Sequence, residues 1–343
     1  MTLLLVLGPM LLPEYRDPLA ARTDVPSAVL SIGAILSAVY GLKQVVQDGM
    51  SLVPALAMLL GLVLAAIFVR RQRTLDDPLL DLDLFRNSVF SAALSCNVLN
   101  VFVSFGSFIL ISQYLQLVRG LSPLQAGLLA LPASLLAIAG PMLTPVLLQR
   151  VGAPLTVGGL LAICGVGFGV MVFVAGPLAA VIVGAGWALW AFGGSAAATL
   201  TTGTLMSSAP PERAGTVSAL AQTGAELGGA LGIAVLGSLG TAIYRGAIAA
   251  ALPNGISPEL AAAAHDTLGG AVTVASRLPD AAAAANLVVT AQDALTLALH
   301  IVCALGAAIS FASAVAAAYY LRPRPSEPLC ESDAQLEAAA LAA

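Results

Sequence analysis

Charge is what this chain of 343 residues has least of. Acidic and basic side chains together make up 9% of it, against roughly a quarter in a soluble domain. The 14 Lys and Arg residues form no run or stripe, so phosphates find no neutralising surface and a nucleic-acid partner is excluded. Histidine occurs twice and the acids do not cluster, which leaves zinc and di-metal chemistry without ligands. Cys96, Cys164, Cys303 and Cys330 lie far apart with no CxxC spacing; they read as small hydrophobes rather than as disulfide or metal partners. The glycine-rich stretch Gly165-Val166-Gly167-Phe168-Gly169 has no strand before it and no Gly-Lys-Ser/Thr ending, which excludes a phosphate-binding loop and an ATPase. No catalytic residues, no metal site, no cofactor and no enzyme are expected.

Apolar residues fill the space that charge leaves. Hydrophobic side chains make up 59% of the chain and the mean hydropathy is +0.96, the signature of an all-α polytopic membrane protein whose main partner is the lipid bilayer. A membrane-crossing helix needs about 20 apolar residues. Eight runs qualify, at 26–43, 52–69, 89–111, 124–146, 155–175, 178–205, 216–243 and 294–320. Ahead of them, Leu3 to Leu12 would reach only about 15 Å. It lacks the basic start and small-residue cleavage site of a signal peptide and reads as the second half of a membrane helix.

Basic residues orient the spans. Arg16, Arg22, Arg70, Arg71, Arg73, Arg86, Arg150, Arg213, Arg322 and Arg324 fall on one set of alternate connections, and Lys43, Arg119, Arg245 and Arg277 on the other. The richer set is expected in the cytoplasm, together with the C-terminal tail. The long connection from Arg245 to about Asp293 is then outside, and a connection of that length normally carries structure of its own. Ser257-Pro258-Glu259 has the capping hydroxyl and early proline of a helix start. Leu278-Pro279-Asp280 opens a second Ala-rich stretch running towards the last span, so a short helical hairpin is expected there.

Within the spans, polar residues stand out against the apolar background. Glu226, in Gln222-Thr223-Gly224-Ala225-Glu226, lies about 10 residues, or some 15 Å, inside its run. A carboxylate in hydrocarbon costs a few kcal/mol and is seldom kept without a protonation, ion or substrate role. The alternative is a purely structural acid bonded to a neighbouring helix. On a helical wheel Gln222, Thr223 and Glu226 share one side, while Gly224, Gly228 and Gly232 form a ribbon suited to close packing. Asn97, Asn100, Ser104 and Ser107 make a polar stripe on their own span, which either lines a cavity or bonds across helices. His300 either joins a proton path or is a satisfied interfacial histidine. Trp187 and Trp190 either stack on flat cations or pack in the core.

Several stretches resemble one family. Gln113-Tyr114-Leu115-Gln116, Leu121-Ser122-Pro123-Leu124-Gln125-Ala126-Gly127 and Leu131-Pro132 are similar to the YLQ, SPLQAG and LP run of drug:proton antiporters of the major facilitator superfamily. So are Leu12-Pro13-Glu14-Tyr15-Arg16, Pro78-Leu79-Leu80-Asp81-Leu82 with Leu84-Phe85-Arg86-Asn87, and Pro211-Glu212-Arg213-Ala214-Gly215. Their order resembles the fourteen-span branch of QacA/SmvA/EmrB-like multidrug exporters. The resemblance implies a truncated helix at 1–12, two linker spans within 13–88, the carboxy-terminal six-helix half at 89–322 with its outer loop at about 245–293, and a cytoplasmic tail at 323–343. Gln149-Arg150-Val151-Gly152 resembles the second-half copy of the family's loop motif, without its usual acid. The family implies proton-coupled efflux of hydrophobic or cationic drugs, with protons and such compounds as partners beside a missing N-terminal half. Glu226 falls where relatives handle protons or cations, with Gln222, Thr223, Asn97, Asn100 and His300 as cavity-lining candidates. Alternatively, these residues alone form a non-transporting membrane remnant or assembly partner.

Overall fold

The computed structural model describes residues 24–49, 51–75, 78, 80, 82–209, 213–252, 257–278 and 280–321. The truncated helix expected at Leu3 to Leu12 and the tail at 323–343 lie outside the described residues. So do Leu12 to Arg16 and Pro211-Glu212.

The described residues are helical, in the order α1 (Val25–Asp48), α2 (Leu52–Gln72), α3 (Ser88–Gln113), α4 (Pro123–Val151), α5 (Ala153–Val172), α6 (Ala179–Ser207), α7 (Ala214–Gly232), α8 (Ser238–Ala251), α9 (Pro258–Asp266), α10 (Leu268–Ala275) and α11 (Ala281–Tyr320). A π-helical turn, Ile233–Gly237, joins α7 to α8 without a break. Another, Tyr114–Val118, ends α3. Among the described residues, eight helices are long and apolar enough to cross a membrane, and each overlaps one of the apolar runs in the sequence, the fifth ending at Val172 rather than at residue 175. α11 starts at Ala281 rather than near residue 294. The Asp280 side chain accepts from the Ala282 amide at 2.9 Å, and the alanines that follow are the best helix formers, so the Ala-rich stretch and the last span become one helix.

Local chemistry sets the other ends. Ser122 and Gln125 form a reciprocal capping box at the start of α4, satisfying two amides that the first turn leaves without partners. Gly152 alone separates α4 from α5 at φ +80°, which turns the chain back in a single residue. At the far end of the bundle, α9 and α10 pack together and α10 lies on α11. Ser257 caps α9 by accepting from the Leu260 amide. Tyr244 Oη donates to the Ala264 carbonyl at 3.1 Å, and Arg245 pairs with Asp266 at 3.1 Å. The arm expected at Ser257 is present as α9, but its partner is α10, which buries Leu268, Ala271 and Val274, and not the stretch after Asp280, which belongs to α11.

α3 is the axis of the bundle and touches α6, α7 and α11, while α5 lies between α6 and α11 and α4 packs on α6. Two apolar clusters fill the interior. One, around Phe168, Met171 and Leu299, lies towards the hairpin. The other, around Phe90, Leu161 and Leu205, lies towards the opposite end. α1 and α2 pair with each other, and α1 also touches α8 and the π turn.

Candidate functional site

α7 meets α3 along its glycines. A Cβ on Gly228 would stand 2.6 Å from the Val98 carbonyl oxygen, and one on Gly232 would run into the Phe102 carbonyl oxygen. The ribbon read from the sequence is therefore the packing face: without side chains, the two backbones close on each other and gain dispersion contacts that lipid cannot supply. The opposite side of α7 is fixed by that choice. Gln222, Thr223 and Glu226 all stand exposed on the bundle surface, and the small polar side of α7 is open rather than enclosed. Gln222 Nε2 donates to Glu226 Oε1 at 2.9 Å, one turn apart on the same helix. That bond holds the carboxylate by one oxygen and leaves the other free to accept a proton or meet a cation.

Aromatic rings stand on the neighbouring helices α3 and α6. One turn beyond Glu226 is Gly229, and the Phe105 ring lies 3.5 Å from where its Cβ would be. Phe105 is 55% exposed and Phe108, a turn further along α3, 49%. Phe108 meets Trp187 edge-on with ring centroids 5.8 Å apart, and Trp187 stacks on Trp190 at 6.4 Å and 21°. The sequence pointed to the two tryptophans but not to Phe105 or Phe108. Their i, i+3 spacing was the available signal, and it does not distinguish a shelf from lipid-facing surface.

Asn97 and Asn100 go elsewhere. Both are buried. Asn97 Nδ2 donates to Thr201 Oγ1 at 3.2 Å, and Asn100 Nδ2 to the Gly194 carbonyl at 3.0 Å. Ser104 donates to the Asn100 carbonyl at 2.7 Å and accepts from Trp190 Nε1 at 3.1 Å. This is the inter-helix alternative, and it ties α3 to α6. His300 Nε2 lies 3.0 Å from the Val174 carbonyl, partly buried on α11. Gln222, Thr223 and Glu226 are thus brought together, whereas Asn97, Asn100 and His300 do not join them. The π turn that follows Gly232 was not legible in the sequence; such turns recur near functional positions.

Helices of membrane length, glycine-mediated contacts between them and an acid displayed partway along a span define a multi-pass helical membrane protein. Comparison with known families makes the class specific. Residues 26–233 match the Major Facilitator Superfamily, and the chain belongs to that family of membrane transporters; it is not an enzyme. It is 38% identical over 85% of its length to the multidrug efflux pump LfrA of Mycolicibacterium smegmatis, covering 57% of that protein. It is 31% identical over 80% of its length to the methyl viologen resistance protein SmvA of Salmonella typhimurium, covering 56% of it. To the tetracenomycin C resistance and export protein of Streptomyces glaucescens it is 33% identical over 80% of its length, covering 52%. The chain spans about half the length of these relatives.

Proposed function

We propose that this chain serves a proton-coupled exporter of hydrophobic or cationic compounds, as the carboxy-terminal half and two linker spans of a fourteen-span antiporter. In this reading it sits in a bacterial inner membrane, with the α9–α10 hairpin outside and Glu226 as the coupling group. The observation that carries it is the exposed carboxylate of Glu226, one helical turn from Gly229, where the Phe105 ring of α3 packs. One carboxylate accepts a proton or neutralises a cation, but not both. Competition at that single group exchanges an inward proton for an outward cation. Phe105, Phe108 and Trp187 supply the faces on which a flat cation stacks, each such contact being worth about 0.5–2 kcal/mol. Gln222 orients the acid, and Thr223 borders it. Alternating access requires two halves around a midplane site, so transport is assigned to the whole protein rather than to these helices alone. The names of the relatives support this reading, since they are efflux and resistance proteins.

Methyl viologen, a flat dication, is the probe that SmvA's name suggests. Cells expressing the gene with Glu226→Gln should accumulate it as cells without the gene do, while wild-type cells keep it low. A neutral compound should be affected less. Unchanged export of both by Glu226→Gln would remove the assignment.

A further inference from the structure

A second site lies where α1 meets α3 and the continuous α7–α8 helix. A cavity of about 310 Å³ opens there, at the lower end of the range for small-molecule sites. One wall is a single stripe of the α7–α8 helix, running from Ala230 through the π turn to Thr241. The stripe leaves room because its residues are small: a Cβ on Gly237 would meet nothing within 4 Å.

Polarity is graded along this wall. Ala230, Ile233 and Ala234, with Ile109 of α3, make the inner part apolar. Ser238 and Thr241 lie towards the α9–α10 hairpin, as does Gln113 at the end of α3, and Lys43 of α1 is the one charged residue on the lining. Lys43 is exposed and makes no ion pair or hydrogen bond among the described residues. The Gln113 side-chain amide and the Ser238 hydroxyl also lack partners among them, although Ser238 is only 4% exposed. Thr241, in contrast, turns back on the Gly237 carbonyl at 3.0 Å.

Ammonium, amide and hydroxyl all donate, and no acid among the described residues lines the cavity. Asp266 borders an adjoining crevice that shares Gln113 and Thr241, but its carboxylate is paired with Arg245. Glu226 stands one turn inward of Ala230 and repels an anion from the apolar end. A cation would meet donors and no counter-charge, and a wholly apolar chain would leave the buried Ser238 hydroxyl unsatisfied, which is costly. A two-chain phospholipid exceeds the space. We infer that this cavity binds a single-chain amphiphile with an anionic head, the head held by Lys43, Gln113 and Ser238 and the chain lying inward against Ile109 and Ile233.

Decanoate carrying a diazirine at the far end of its chain is a suitable probe, with the matching decanol as its neutral counterpart. Irradiated with the protein in phosphatidylcholine nanodiscs, the decanoate probe should label peptides covering residues 109–113 and 230–241 above lipid-facing stretches such as 124–146. The decanol probe should label them about tenfold less, as expected when one hydrogen bond to a charged group is lost. Lys43→Gln should lower decanoate labelling by a similar factor and erase the difference between the two probes, whereas Lys43→Arg should largely keep both. Gly237→Leu should abolish labelling by filling the space, and circular dichroism checks that its helices persist. Equal labelling by the two probes in the wild-type protein would overturn the inference, as would labelling unaffected by Lys43→Gln. So would adducts formed at these peptides by a chain-labelled phosphatidylglycerol that excess decanoate does not displace, since the cavity would then belong to a bilayer lipid.

Discussion

α3 and α7 lie side by side, each interrupting an apolar sequence with polar residues, and the two interruptions have opposite fates. On α3 the Asn97 and Asn100 amides are buried and bonded to α6. On α7 the Glu226 carboxylate is exposed and its one bond is to its own helix. A polar group whose partners all lie in neighbouring helices is committed to assembly. One bonded only to its own helix remains available to a ligand. Adjacent helices in one bundle can thus carry the same kind of sequence signal for different purposes.

Crossed mutations break or sharpen that contrast. The largest effect is expected for Glu226→Gln: export of a cation lost, with the thermal unfolding midpoint unchanged because the side chain is exposed and its hydrogen bond is to Gln222 of its own helix. A lowered midpoint with intact export would invert the assignment. Next comes Gly232→Leu, which forces a side chain into the Phe102 backbone; overpacking of this kind costs about 1–3 kcal/mol and should separate α3 from α7, read as a fall in melting temperature. Asn100→Leu should cost about 1 kcal/mol for the lost bond to Gly194, visible in thermal unfolding, with export falling only as far as the folded fraction falls. If Asn100→Leu abolished export while leaving the midpoint in place, the amide would be a ligand group after all.

Hydropathy alone located all eight spans, because a membrane helix must satisfy its backbone internally and therefore writes its length into the sequence. The glycine ribbon was legible for a related reason: residues four apart share a face, and a face without side chains has one efficient use. Capping at Ser257 and Asp280 was equally local. What Asn97 and Asn100 meet was not legible, since periodicity identifies a face but not its neighbour, and Thr201 and Gly194 lie about a hundred positions away in the chain. Glu226 was placed in its span by sequence, but its open surroundings follow from how α7 rotates to seat Gly228 and Gly232. The π turns depend on packing between helices and leave no local signature.

The smallest expected effect concerns a third polar group, at one end of the α1–α2 pair and outside the spans. Asp24 stands at the N-cap position of α1, where its side chain does not cap the helix but receives Arg71 Nη2 on one oxygen at 2.9 Å and Arg71 Nε on the other at 3.1 Å. Ser27 also donates to it and in turn accepts from Gln72 Nε2 at 2.8 Å. Hydrogen bonds from Arg71, then from Ser27, hold the Asp24 carboxyl down at about 2, against a smaller opposing effect of desolvation. A carboxylate whose pKa is lower folded than unfolded stabilises the fold above the usual carboxylate range and loses that contribution as pH falls towards 2. Asp24→Asn should therefore melt slightly below wild type at pH 7, and the gap should narrow below pH 4 and close as pH falls through about 2. Export at neutral pH should be unaltered, because the clasp joins α1 to α2 and touches neither the Glu226 face nor the Asn pair. A gap that stayed constant with pH would mean that the carboxylate is not what Arg71 holds, and the α1–α2 pair would then rest on its apolar contacts alone.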